Sequence, residues 1–355
     1  MPPIAPLPPV PVARAAQPSI SCVVPAYNEA GNITRLLTEL TATLATLTPR
    51  WEVIVVDDGS TDATPMVLAP WLLHPGVRYL RLSRNFGKEA ALTAGIDHAE
   101  GEVVVLLDAD MQHPPSMIAA MLAAWRNGAD MVCTARASRA DESWRKRFGT
   151  WVFYWMVNNN AATPIPVDAG DFRLMDRLVV NALKALPERN RFMKGLYAWV
   201  GFRTEVLPYT PAPRHAGQSS FSLKTLSRLA FTGVTAFTNA PLRLWSAVGG
   251  VIAAVSFAFA LWIVVADFVV GHAVPGWATL VTGMAFSTGV QLLSIGILGE
   301  YIGRIFDEVK QRPVYIVRDA LGRGGLDAAS GGPGLAAVAS PAPPAAPEAL
   351  VRRHG

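Results

Sequence analysis

The stretch VVVLLDADMQHP, Val103–Pro114, decides how this chain is read. A run of valine and leucine fits a buried parallel strand, and it stops abruptly at Asp108-Ala109-Asp110, with Gln112 just beyond. Open α/β sheets present ligand-binding groups at the C-terminal ends of their strands. Alternate residues of an extended chain share a face, so this spacing is expected to turn Asp108, Asp110 and Gln112 toward one hard cation. An ion held by so few protein oxygens keeps positions open for a substrate phosphate. One Asp-x-Asp alone would serve equally well as a helix cap, so the flanking segments carry the decision.

Upstream, the same pattern repeats. Ile20–Val24 is a short strand ending at Pro25-Ala26-Tyr27-Asn28-Glu29, and Asn32–Leu47 follows with Ile33, Leu36, Leu37, Leu40 and Leu44 at helical spacing. Val53–Val56 is a second strand closed by Asp57-Asp58-Gly59-Ser60, with a helix expected from Asp62. Val77–Leu82 is a third, followed by the loop Ser83–Gly87 and a helix through Ala90–Ala99; Met131–Thr134 is a fifth strand after the one at Val103. Strands separated by helices predict a parallel, doubly wound sheet. Asn28, Glu29, Asp57, Asp58, Asp108 and Asp110 all follow strand ends, a recurrence that a merely structural domain does not require. No G-x-G-x-x-G or Walker A sequence occurs, which argues against dinucleotide and P-loop chemistry.

Composition divides the chain. Of its 355 residues 51% are hydrophobic and only 16% charged, too apolar for an ordinary soluble enzyme, and the excess lies after Trp245. The net charge of +4, from 31 basic and 27 acidic residues, gives no case for nucleic acid. Cys22 and Cys133 sit in apolar strand-like runs and read as small buried hydrophobes rather than a disulfide or metal pair.

Residues 1–18 form a Pro-rich tail, expected to be disordered and unlike a secretory signal. Near 143–160, Trp144, Phe148, Trp151 and Trp155 share a helical stripe beside Arg145, Lys146 and Arg147, as on a membrane-interface helix. A second amphipathic segment spans 222–242. Trp245–Val270 and Trp277–Ile305 are long enough for two membrane spans joined by the short turn Gly271–Gly276. Arg243, Arg304, Lys310 and Arg312 place both flanks of this hairpin on the cytoplasmic side. Residues 306–318 read as a cytoplasmic extension, and 319–355, rich in Gly, Ala and Pro, as a disordered tail.

The motifs VVPAYNE (Val23–Glu29), VVDDGSTD (Val55–Asp62), LSRNFGKEAAL (Leu82–Leu92) and LLDADMQHPP (Leu106–Pro115) resemble, in order and spacing, family 2 of the inverting glycosyltransferases. The resemblance is nearest to its polyprenyl-phosphate branch of bacterial membrane enzymes, including the GtrB-like glucosyltransferases, related to dolichol-phosphate mannose synthase. It covers about Ser19 to Val317. It implies a GT-A type domain over residues 19–221, with a mixed, mostly parallel sheet. It further implies that Pro25, Tyr27, Glu29 and Asp57 contact the base and ribose, and that Lys88 lies near the nucleotide. Asp108 would stand near the ribose or the metal, while Asp110 and Gln112 hold Mg2+ or Mn2+ against the diphosphate. Such a cation suits a departing nucleoside diphosphate.

On the acceptor side the resemblance points to Arg136, Arg139 and Arg173 for the lipid phosphate, whose oxygens suit a guanidinium fork. Asp171 acts either as base or as an orienting group, because a phosphomonoester with a second pKa of about 6 is mostly ionised already. Arg214 opens the segment RHAGQSSF, similar to the family's mobile loop but with Ser220 where the family usually carries lysine; Lys224 stands one helical turn on.

The implied reaction is transfer of a hexose, with UDP-glucose the expected donor, to undecaprenyl or another polyprenyl phosphate at the bacterial cytoplasmic membrane, giving a β-linked product. A mannosyl or aminoarabinosyl donor is the alternative, and a homo-oligomer and a flippase partner are left open. A processive polysaccharide synthase would carry Gln-x-x-Arg-Trp, which this sequence lacks, and a dead scaffold would have lost carboxylates that are all present.

Overall fold

The structure, a computed structural model, describes residues 14–136, 169–189, 191–209 and 276–326, with scattered helical positions between 249 and 265. The chain divides into two compact units: Met1–Ala120 with Tyr315–Gly355, and Met121–Val314.

In the first unit, apolar runs too short for helices and rich in β-branched residues become strands: β1 (Ile20–Ala26), β2 (Trp51–Asp57), β3 (Val77–Leu82) and β4 (Val103–Leu106). They lie in the order β4-β1-β2-β3, with β1 parallel to both β2 and β4, and β2 parallel to β3. The connecting helices are α1 (Ile33–Leu47), the short α2 (Thr64–Leu68) with a 3-10 turn after it, and α3 (Lys88–His98). The helical stripe expected on α1 is the one that is buried: Ile33, Leu36, Leu37, Leu40 and Leu44, joined by Thr41. On α3, Gly95 lets the helix lie close to β1, since a Cβ there would stand 2.1 Å from Val23 Cγ1.

Three strands were not expected, two in the second unit and one at the edge of the first. β8 (Val317–Gly322) pairs antiparallel with the edge strand β3, in a segment read above as running from a cytoplasmic extension into a disordered tail. Its side chains carry no apolar alternation, because an edge strand exposed on its faces needs only backbone partners. Ser83 N–H donates to the Ile316 carbonyl, and the Tyr315 hydroxyl donates to Asp97 Oδ2 at 2.9 Å on the last turn of α3. Gly322, at φ +88, passes where a Cβ would lie 2.4 Å from the Val77 carbonyl oxygen, so the strap ends in a conformation and a space that favour glycine.

The second unit holds β5 (Met131–Arg136), β6 (Ala169–Asp176) and β7 (Thr204–Tyr209), with β5 antiparallel to β6 and parallel to β7. α4 (Met117–Arg126) leads into it. Asp176 caps α5 (Arg177–Ala185) by accepting from Leu178 N–H and also accepts from Trp125 Nε1 at 2.7 Å. α6 (Met193–Trp199) follows. The last helix, α7 (Trp277–Lys310), begins where the second span was expected to begin and runs past its expected end at Ile305. Near its C-terminus, Glu308 accepts from Arg189 N–H at 3.0 Å. Met284, Phe286, Leu292, Ile295, Ile302 and Ile305 are all exposed on α7. Among the described residues, no helix is both long and apolar enough to cross a membrane. The expected helices at 143–160 and 222–242 lie outside the described residues, as do most of the first span and of the two tails.

At the N-terminal ends of the strands a charge is buried. Glu52, without solvent exposure, accepts from the Ser21 hydroxyl at 2.6 Å, Glu100 N–H at 3.0 Å and the Arg78 guanidinium at 3.1 Å. Arg78 also donates to the His98 carbonyl. Removing one partner of such a pair strands the other charge away from water. Glu52→Ala is therefore expected to destabilise the protein by about 3–5 kcal/mol, read by chemical denaturation.

Candidate active site

Strand order makes the site. The chain runs from β1 to β2 to β3 on one side and then returns to place β4 on the other side of β1. Successive connections therefore diverge between β1 and β4, and open α/β sheets bind ligands in the crevice at such a switch point. The loops after β1 and β4 carry Glu29 and Asp108–Gln112, and the loop after β2 lies beside them, since Ala26 is in register with Asp57.

These loops are tied together by side chains. Asn28 takes the left-handed conformation at φ +57, and its Oδ1 accepts from Thr61 N–H at 2.9 Å and Asp62 N–H at 3.3 Å. In return Asn28 N–H donates to the Ser60 hydroxyl and Glu29 N–H to the Thr64 hydroxyl. Asp58 accepts from Phe86 N–H at 2.7 Å and Gly87 N–H at 2.9 Å, which fixes the loop leading into α3. Burial pushes the Asp58 carboxyl above its usual range, against the pull of those two N–H groups. Gly59 sits at φ +70 where a Cβ would lie 2.6 Å from the Arg84 carbonyl carbon, so the close approach of these loops requires glycine.

Asp57, expected at the nucleotide, is shut inside. Ser60 N–H donates to its Oδ1 at 2.7 Å and the Tyr79 hydroxyl to its Oδ2 at 2.6 Å, and no part of it is exposed. It shapes the turn rather than lining the surface. Pro25 is half-buried, and Tyr27 is 45% exposed.

The acidic groups converge, although not by the alternation expected of an extended chain. β4 ends at Leu106, and Asp108–Gln112 is a turn with Met111 in the left-handed region at φ +61. Asp110 Oδ1 accepts from Gln112 N–H at 3.1 Å across this turn. Lys88, the first residue of α3, places its ammonium 2.7 Å from Asp108 Oδ1 and 2.8 Å from Oδ2. Glu29 is held above the usual carboxylate range by burial first, and then by the Asp110, Asp108 and Asp62 carboxylates, against a 2.8 Å hydrogen bond from Asn32 Nδ2. Among the described residues no group of three or more His, Cys, Asp or Glu side chains is arranged to hold a metal ion. The available donors for a divalent cation are thus two carboxylates and an amide. That short set fits an ion that completes its shell with diphosphate oxygens, and the crowding around Glu29 is of the sign such an ion relieves.

Of the residues expected on the acceptor side, the described ones, Arg136, Asp171 and Arg173, fall in the second unit. Asp171 is half-buried on β6, opposite an irregularity between Cys133 and Ala135 of β5. Arg173, two residues on, is buried. Its guanidinium lies 3.5 Å over the Tyr197 ring centre and donates to the Gly170 carbonyl at 2.9 Å, while one of its nitrogens contacts Met131 Sδ at 3.4 Å. Arg136 is the last residue of β5. Arg139 and the segment from Arg214 to Lys224 lie outside the described residues. Asn28 and Asp58, marked in the sequence only by their position at strand ends, are the ties that the motif reading did not single out.

Residues 21–183 match the glycosyl transferase family 2 and residues 240–305 match the GtrB C-terminal hairpin. An uncharacterised glycosyltransferase of Synechocystis is 43% identical over 85% of this chain and 96% of its own length. The chain belongs to glycosyltransferase family 2. A bactoprenol glucosyl transferase of Shigella flexneri, of prophage origin, is 42% identical over 84% of this chain and 97% of its own. Among solved structures, a mannosyltransferase of Pyrobaculum calidifontis overlaps 82% of this chain and 87% of its own, with a TM-score of 0.42 and 19% identity. The mixed, mostly parallel sheet with its loops at the switch point is the GT-A type arrangement of this family.

The raised Glu29 carboxyl has a pH signature. Ionised Glu29 costs folded-state stability, and that cost is absent below the unfolded carboxylate pKa, about 4.3, and grows as pH rises toward the higher folded value. Glu29→Gln is expected to melt at a higher temperature than the wild type at pH 7 without divalent cation, with the difference vanishing near pH 4. A gain of equal size at both pH values would contradict the electrostatic origin.

Proposed function

We propose that this protein transfers a glucosyl group from UDP-glucose to undecaprenyl or another polyprenyl phosphate at the cytoplasmic face of the bacterial membrane, with inversion at the anomeric carbon. The observation that carries the reading is the Asp108–Lys88 pair at the switch point, with Glu29 close enough to Asp108 and Asp110 for their charges to act on it, chemistry suited to a nucleoside diphosphate leaving group. The sugar and lipid are supported by the full-length likeness to a relative named as a bactoprenol glucosyl transferase, and by the match to the GtrB hairpin.

In this reading the Tyr27 ring and the neighbouring Pro25 receive the base, Glu29 orients the ribose, and the buried Asp57 keeps the turn that shapes their pocket. Asp108, Asp110 and Gln112 would hold Mg2+ or Mn2+, which when bound supplies positive charge to the departing diphosphate. Arg136, Arg139 and Arg214 hold the lipid phosphate. Arg173, wedged between Tyr197 and Met131, supports β6 under the acceptor-side Asp171. The acceptor phosphate is already largely ionised at neutral pH, so Asp171 orients rather than deprotonates. The segments 245–270 and 277–305 form a membrane hairpin; the exposed Leu, Ile, Phe and Met side chains of α7 support this.

Asp110→Ala is expected to lower transfer by about 10²–10³-fold or more, while leaving the protein folded and membrane-bound; activity near the wild-type level would remove Asp110 from the chemistry. A cysteine placed within Gly271–Gly276 should react with an impermeant thiol reagent from outside intact cells, and protection there would overturn the proposed topology. A donor screen with purified protein and undecaprenyl phosphate should yield lipid-linked glucose from UDP-glucose in preference to GDP-mannose or a UDP-aminoarabinose donor.

A further inference from the structure

We propose that Lys88 is a placeholder cation for Asp108. Its ammonium holds the Asp108 carboxylate and is exchanged onto a nucleoside diphosphate when one arrives, so that the site accepts a divalent cation with its donor and resists it alone. This rests on the reading of Asp108 and Asp110 as the cation-holding pair.

The basis is geometric. Lys88 Nζ reaches both Asp108 oxygens, at 2.7 and 2.8 Å, and so takes the atoms that a metal ion would use. A doubly charged ion at the same oxygens would stand within a few ångströms of the ammonium, where like charges repel strongly. The two positive charges thus compete for the same oxygens. Lys88 is built to move. Its side chain is 43% exposed, against 23% for Asp108, and it is a compact charge on a flexible stem. Its backbone, by contrast, is anchored: Gly87, just before it, takes φ +101 and donates its N–H to Asp58. The ammonium can swing while its origin stays fixed.

A destination lies at the same end of α3. Lys88 opens the 11-residue helix α3, whose first N–H groups and dipole favour an anion at that end. A diphosphate at the switch point offers the ammonium more negative charge than Asp108 alone. Transfer of Lys88 to the phosphate then frees both Asp108 oxygens beside Asp110. Because coupling between two ligands is reciprocal, the factor by which nucleotide strengthens cation binding equals the factor by which cation strengthens nucleotide binding.

The test is a Mn2+ titration of the purified full-length protein followed by the electron paramagnetic resonance of free Mn2+, with and without UDP. The wild type is expected to take up Mn2+ weakly alone and more tightly with UDP. Lys88→Met should bind Mn2+ alone at least about tenfold more tightly than the wild type, a free-energy difference of about 1.4 kcal/mol, and should lose most of the enhancement by UDP. Lys88→Arg, which keeps the charge, should behave as the wild type does, and Lys88→Gln serves as a second neutral variant should Lys88→Met fail to fold. Equal Mn2+ affinity of wild type and neutral variant without UDP overturns the placeholder role and leaves the metal reading standing. Failure of both to take up Mn2+ even with UDP overturns the metal reading, and this proposal with it.

Discussion

Everything in the candidate site depends on β1 being hydrogen-bonded on both edges by parallel neighbours that were made at different times. β2 comes from the next connection along the chain and β4 from much further on. The register of β1 is held by side-chain contacts: a one-residue shift would carry Ser21 away from buried Glu52, to which its hydroxyl donates at 2.6 Å, and Val23 away from the close seat that Gly95 of α3 leaves for it. The loops that follow β1, β2 and β4 therefore emerge together, and their polar residues meet without any of them being adjacent in sequence.

Holding several carboxylates in one crevice costs stability, and the fold offsets that cost in two ways. Asp57 and Asp58 are removed from the surface and used as hydrogen-bond acceptors for the very loops they terminate. Asp108 is neutralised by Lys88. What remains for a ligand is a smaller set than the sequence displays, with Glu29 held above the usual carboxylate range by burial and then by its acidic neighbours.

The strands and the α1 stripe were legible because burial imposes a period on the sequence: Ile33, Leu36, Leu37, Leu40 and Leu44 could be read directly as a helix face. The motifs at the strand ends were legible because their residue types are too polar for the runs that precede them. Asp57 and Asp58 illustrate the limit. Two adjacent aspartates look alike in a sequence, and only the direction of each carboxylate, one toward Tyr79 and the other toward the Phe86 amide, assigns them to packing. Met111 was unreadable for a related reason. A left-handed methionine leaves no mark in residue type, yet it converts the expected extended alternation of Asp108, Asp110 and Gln112 into a turn. Arg173 shows the reverse case, an arginine whose charge suggested a ligand and whose surroundings are an aromatic ring, a thioether and a carbonyl. β8 escaped notice because its partner is backbone and its side chains need no pattern.

That last strand also orders events in time. The first unit is assembled from two distant parts of the chain, Met1–Ala120 and Tyr315–Gly355, with the whole of the second unit between them. During synthesis β3 is a bare sheet edge until the residues after α7 have been made, and a bare edge is a place where chains pair wrongly. Tyr315 and β8 then close it and, through Asp97, touch the end of the helix that begins with Lys88. The unit that carries the candidate site is thus completed only after the second has been made.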